Sequence, residues 1–208
     1  MYSTLAGAIG QLRIDLNDPF DPANSRYADD ELTRALERAL DDYTRIAPRV
    51  QFGLSVAVVG SLFDVATVTL NPLGVQRIED AVTAMPVPFE RYLHTPTSYM
   101  VRFVPPIADG TQLRVWAFAS HIFDGLNCTI HFAHRETLLV GAQGYALQGL
   151  STRSVGRANV PPAVQQQSAR ESAVRLRDFA SRLQNLMSDT PASVQVPWGL
   201  TQADAGGF

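Results

Sequence analysis

The chain has 208 residues, 46% of them apolar and 18% charged, with a net charge of -3 and a single cysteine. An apolar share near half excludes general disorder, and the length suits one large domain or two small ones. The acidic balance argues against an obligate nucleic-acid binder, lone Cys128 excludes an internal disulfide framework, and no apolar run approaches the ~20 residues of a membrane span. Met1-Tyr2-Ser3-Thr4-Leu5 has no basic stretch leading into an apolar one, so a soluble protein without a secretory signal is expected. All 17 basic residues are arginine, whose planar fork suits protein–protein contacts.

Leu5, Ala8/Ile9 and Leu12 predict a short first helix, followed by the turn-rich Asn17-Asp18-Pro19-Phe20-Asp21-Pro22. From Asp29 to Ala47 the spacing predicts an amphipathic helix with Leu32, Ala35/Leu36, Ala39/Leu40, Tyr43 and Ile46/Ala47 on its buried face. Asp29 and Asp30 favour its N-terminus and Pro48 stops it. Its outer face offers the i,i+4 pairs Asp30–Arg34, Arg38–Asp42 and Asp41–Arg45. From Val50 the period becomes two: Val50, Phe52, Leu54, Val56 and Val58 predict a half-buried strand. Leu62–Leu70, Gly74–Val82, Tyr99–Val104 and Leu113–Ala119 predict four more, separated by Asn71-Pro72, Pro86-Val87-Pro88, Pro105-Pro106 and Asp109-Gly110.

After His134 the pattern is helical again, with Leu138, Ala142, Tyr145/Ala146 and Gly149 on one side. Three glycines in that helix, Gly141, Gly144 and Gly149, each cost ~1 kcal/mol, and close approach of a neighbouring backbone explains them. Pro161-Pro162 opens a last helix with a near-heptad stripe of Ala169, Ala173, Leu176, Ala180, Leu183 and Met187. Beyond Ser188 the helical periodicity stops, and the segment is expected to be unfolded in isolation. The class is therefore α+β: a helical bundle (1–49 and 134–187), an inserted antiparallel β-sheet or sandwich (50–133) and an extended C-terminal tail (188–208). The two helical parts are expected to meet in one composite domain.

Candidate chemistry is sparse. Cys128-x-x-His131-x-x-His134 with Glu136 offers metal-ligand residue types, but its spacing fits no established zinc pattern, so no metal, cofactor or catalytic residue is assigned. Ser120-His121 with Asp124 has the parts of a triad without a nucleophile elbow. Arg170, Arg175, Arg177 and Arg182 concentrate charge on the last helix, where Glu171 and Asp178 interrupt it, and a solvated or subunit-facing surface is the expected role. In the tail, Val194, Val196, Trp198, Leu200 and Phe208 form an apolar set able to add as a strand to a partner, to fill its groove, or to pack on their own domain. A carbohydrate-binding sheet is the alternative; Trp116 and Phe118 are expected to divide between core and exterior.

A resemblance to a family then emerges. Leu12-Arg13-Ile14-Asp15-Leu16-Asn17-Asp18, Arg26-Tyr27-Ala28-Asp29-Asp30-Glu31-Leu32 and Ala39-Leu40-Asp41-Asp42-Tyr43-Thr44-Arg45-Ile46-Ala47-Pro48-Arg49 together resemble the start of head-to-tail adaptor (connector) proteins of tailed bacteriophages. Ala28 stands where those proteins usually carry a serine cap. Leu113-Arg114-Val115-Trp116, His121 and the run from His134 to Tyr145 are similar to the strand and glycine/alanine-rich helix of β-containing relatives. The resemblance implies a non-enzymatic virion component assembled in the host cytoplasm, a homo-oligomeric ring, twelve-fold in that family, beneath the portal. Such a ring extends the DNA channel, passes double-stranded DNA without specific binding, and receives a stopper or tail-terminator protein. It also implies that the tail residues bind the portal and that Gly141, Gly144 and Gly149 serve helix packing at subunit interfaces. Another neck or tail-completion protein is the neighbouring alternative.

Overall fold

The computed structural model describes residues 4–21, 24–56, 61–69, 72–95, 98–126, 128–154 and 162–189. Four helices and six strands follow in the order α1 (Leu5–Asp15), α2 (Asp29–Ile46), β1 (Arg49–Val56), β2 (Leu62–Asp64), β3 (Pro72–Asp80), β4 (Phe89–Thr95), β5 (Ser98–Phe103), β6 (Gln112–Ala119), α3 (Arg135–Ser154) and α4 (Pro162–Asp189). The class is α+β, as the change of period predicts. Two compact units result, one from Met1–Ile46 with His121–Asp189 and one from Ala47–Ser120. Contacts thus place residues 121–133 with the helices. No helix among the described residues is long and apolar enough to cross a membrane.

In the helical unit, α3 lies between α2 and α4, packing against both. α2 buries Leu32, Ala35, Leu36, Ala39 and Tyr43, the face its spacing predicts; full burial stabilises by roughly 1.5–3 kcal/mol for a leucine. Ala28 has no side-chain oxygen to accept a first-turn N–H of α2, and the reciprocal half of a capping box remains: Glu31 accepts the Ala28 N–H at 3.1 Å. On α4 the buried stripe differs from the expected alanine series. Ser168, Ser172, Phe179 and Leu183 are buried, Leu176 is half-buried, and Ala169, Ala173 and Ala180 are exposed. Hydrophobicity alone favours the alanines; contact with α3 instead selects serines small enough for close approach and one aromatic ring. Met187's side chain lies outside the described residues.

The sheet unit contains two three-stranded antiparallel sheets, ordered β1-β6-β3 and β2-β5-β4. They share one apolar core of Phe63, Val65, Ile78, Val101, Phe103, Leu113, Val115 and Ala117. The strand expected over Leu62–Leu70 stops at Asp64, and Val65–Thr67 is a 3-10 turn. Asp64 ends the strand by accepting the Ala66 N–H at 2.9 Å, a local bond that competes with the ladder. β4 is absent from the sequence reading: Phe89-Glu90-Arg91-Tyr92-Leu93-His94-Thr95 alternates poorly, and pairing with β5 creates the strand.

Candidate functional site

In the helical unit, the residues that carry the adaptor resemblance meet around Arg13. Its side chain is buried although charged, and it donates to the Asp18 carboxylate, to Asp29 at 2.6 Å and to the Tyr27 carbonyl at 3.1 Å. Asp18 also accepts the Arg26 N–H at 2.6 Å, while the Arg26 guanidinium donates to the Leu16 and Asn17 carbonyls at 2.7 Å each. Arg153 of α3 adds bonds to the Glu31 carboxylate and, at 2.8 Å, to the Arg26 carbonyl. The partners of Arg13 satisfy a charge that would otherwise be buried alone, while Arg26, half-exposed, and Arg153 brace the same connection. Burial pushes the neighbouring Tyr27 hydroxyl up to about 12. This hub ties the end of α1 to the start of α2.

The glycines of α3 serve the seam with α4. A Cβ on Gly141 would sit 2.9 Å from three ring atoms of Phe179, and one on Gly144 would sit 2.8 Å from the Leu176 side chain and 3.2 Å from its backbone nitrogen. The Ser172 hydroxyl donates to the Gly144 carbonyl at 2.9 Å across the same seam. The face that Gly141 and Gly144 keep low is therefore occupied by α4 of the same chain. Gly149 meets nothing within 4 Å.

The histidines gather loosely about Tyr43. Its hydroxyl lies 2.6 Å from His134 Nδ1, the His121 ring stands 5.2 Å away, and the His131 and His134 rings are 5.6 Å apart. Cys128 makes a weak contact to the Ile130 carbonyl, and Glu136 pairs with Arg182 at 3.2 Å. Among the described residues no group of three His, Cys, Asp or Glu side chains is placed to hold a metal. Burial, followed by the nearby His131, lowers the pKa of His134, and burial pushes Tyr43 up to about 12. His121 Nδ1 faces Thr129 at 3.1 Å, and the Asp124 carboxylate accepts the Leu126 N–H at 2.8 Å. Both contacts lie in the connection ahead of α3.

The α4 arginines divide. Arg182 is held by Asp178 and Glu136 at 3.2 Å each, whereas Arg170 and Arg175 line a groove of about 670 Å³ together with Leu147, Leu150, Val164 and Val174. His94 falls on β4, and its side chain is outside the described residues. The tail residues Val194, Val196, Trp198, Leu200 and Phe208 are likewise outside them.

In the sheet unit, β1 reverses the orientation its alternation suggests. Val50, Phe52 and Leu54 are 38%, 52% and 67% exposed, while Gln51 and Gly53 turn inward. The inward side is covered by the 3-10 turn and the residues after it: Gln51 donates to the Val68 carbonyl at 3.2 Å and accepts from Thr69 at 2.9 Å. A Cβ on Gly53 would meet Val68 at 2.6 Å. Alternation identifies which side chains share a face, and the polar contacts of Gln51 determine which face turns in. Trp116 and Phe118, two residues apart, lie on one face of β6 rather than dividing between two, opposite Phe52 and Val50. The Trp116 ring has Phe52 at 5.0 Å on the β1 side and the Arg77 guanidinium at 4.1 Å on the β3 side. Trp116 therefore packs between neighbours from both flanking strands on one face of the sheet. The exposed β1 row is the surface the sequence reading missed; its signal was the polar Gln51 and small Gly53 in the alternate positions.

No family model matches the chain, and no curated protein matches it. Among solved structures, a chain described as the neck of an empty GTA particle computed with C6 symmetry is similar at a TM-score of 0.30 and 12% identity, over 81% of this chain and 92% of that one.

Proposed function

We propose that this protein is a structural, non-enzymatic neck component of a tailed-phage-like particle, specifically a head-to-tail adaptor. In this reading copies form a closed ring beneath the portal, continue the DNA channel and offer the attachment site for a stopper or tail terminator. The apolar tail residues dock on the portal. The observation that carries the reading is the hub at Arg13. Leu12–Asp18 and Arg26–Leu32, the stretches that resemble adaptor proteins, are far enough apart in sequence to be independent, yet Arg13, Asp18, Tyr27 and Asp29 converge on one buried ion network. A resemblance concentrated on residues that build the fold is harder to obtain by chance than one scattered over the surface.

The surrounding chemistry is compatible. A closed ring needs two different complementary faces on each subunit, and α2 and α4 flank α3 with charged outer surfaces. The net negative charge suits a conduit, because a basic lumen would hold phosphate. The test is localisation in particles: electron microscopy of virions with this chain tagged, together with portal capture by the purified protein. A ring density at the portal–tail junction is expected. A particle that joins filled capsids to tails without this chain overturns the proposal.

A further inference from the structure

The outer strands of the two sheets are unequally protected. β2 is three residues long, β3 starts at Pro72 and carries two register shifts, and β4 carries one between Arg91 and Leu93. β1 has none of these features. Its eight residues pair with β6 in unbroken register from Arg49 opposite Ala119 to Val56 opposite Gln112. Among the described residues no strand takes its other edge. Natural sheets blunt such edges with brevity, proline, bulges or charge, because an open ladder recruits another strand. β1 instead presents Val50, Phe52 and Leu54 to solvent in consecutive outward positions. An open edge and an exposed apolar row, two separate features, coincide on one strand.

We infer that this edge is a docking site for an added strand, supplied by residues 193–198 of this chain, Ser193-Val194-Gln195-Val196-Pro197-Trp198. The segment belongs to residues 190–208, which follow the C-terminal end of α4 at Asp189. Period two puts Val194, Val196 and Trp198 on one side and Gln195 on the other. Laid beside β1 with the apolar side toward the Val50, Phe52 and Leu54 row, the segment extends that face with cross-strand apolar pairs. Backbone bonds to the open edge supply the affinity and the alternating side chains the selectivity. Neither row carries a charge to oppose the pairing, and Pro197, lacking an N–H, limits the ladder to a few residues. The inference does not rest on the portal reading. The same residues cannot occupy both places at once, so β1 holds the segment in the free protein.

The test is hydrogen exchange followed by mass spectrometry on the full-length chain and on the double variant Val194→Asp/Val196→Asp. Residues 49–56 should exchange roughly tenfold faster in the variant, with residues 113–118 of β6 unchanged. In the reciprocal variant Phe52→Asp/Leu54→Asp, residues 193–198 should lose protection by a similar factor, with β6 exchange again reporting that the sheet is intact. Exchange of β1 that does not respond to the tail substitutions overturns the inference, including the case in which β1 is protected by some other strand. Portal capture by Val194→Asp/Val196→Asp is read separately. Lost capture with unchanged β1 exchange sinks this inference and leaves the portal reading standing, and the converse result does the opposite.

Discussion

Alanine at Gly141 and alanine at Gly149 make the same chemical change in the same helix and should move stability in opposite directions. In a helix interior, alanine is favoured over glycine by about 1 kcal/mol. At Gly149 the new methyl meets nothing within 4 Å, so most of that gain should survive. At Gly141 it would lie 2.9 Å from three atoms of the Phe179 ring, which is 3% exposed and has little room to retreat. Overpacking of this kind costs about 1–3 kcal/mol, which offsets or exceeds the propensity gain. The two variants should therefore differ by about 2 kcal/mol, corresponding to about 4–8 °C in Tm for a chain of this size. Thermal unfolding monitored by the helical signal at 222 nm reports mainly on the unit that contains α3. Gly149→Ala is expected to melt above the parent and Gly141→Ala at or below it. If both rise together, α4 does not press on α3 at Phe179 and the seam described here is wrong.

The Arg13 hub makes a second test. Arg13→Met leaves the Asp18 carboxylate, whose side chain has no exposure, without its main cation, and loss of one partner of a buried pair costs about 3–5 kcal/mol. Urea unfolding should show that loss, and Arg13→Met/Asp18→Asn should recover part of it; a double variant no better than the single one refutes the pairing. His134 supplies an acid-side prediction. Its pKa lies below the ordinary 6.5 in the folded chain, so as pH falls through that value the unfolded state takes up the proton first and stability declines. Urea midpoints at pH 7.5 and 5.5 should show the decline, and His134→Gln should reduce it. On the alkaline side, Tyr27, Tyr43 and Tyr145 are raised to about 12 from 10, chiefly by burial. The folded state then keeps protons that the unfolded state releases, so stability should fall as pH rises from 10 toward 12. Absorbance of tyrosinate at 295 nm, measured alongside unfolding, checks whether the two transitions coincide.

What periodicity can and cannot reveal is clear from three elements. α2 was legible because a charged chain with apolar residues at three- and four-residue steps has only one side it can bury. β1 was legible as a strand and misleading in orientation. Alternation is indifferent to which of two faces meets the core, and the deciding contacts come from Val68 and Thr69, well downstream in sequence. The stripe on α4 was misread for a related reason. Hydrophobicity favours alanine over serine, whereas the glycine-flattened surface of α3 admits serine closely, gives the Ser172 hydroxyl a carbonyl partner and leaves a slot for Phe179. The glycines pointed to a close approach, and they could not say that the partner was α4.

The same reasoning separates the two places where this chain departs from ordinary soluble design. A charge buried at Arg13 of α1 is costly only if unpaired, and here its partners come from the connection after that helix and from α2. Its signal is spread over Arg13, Asp18 and Asp29, none unusual alone, which explains why it surfaced as a diffuse family likeness and not as a motif. The exposed row on β1 is the opposite case. Each of Val50, Phe52 and Leu54 is an expected strand residue, and the anomaly appears only when the protection of the other edges is set beside it. Proline, bulges and brevity at β2, β3 and β4 show that this fold has the usual means of closing an edge. Their absence from β1 alone, together with an apolar row facing water, argues that this edge is left open because another strand uses it.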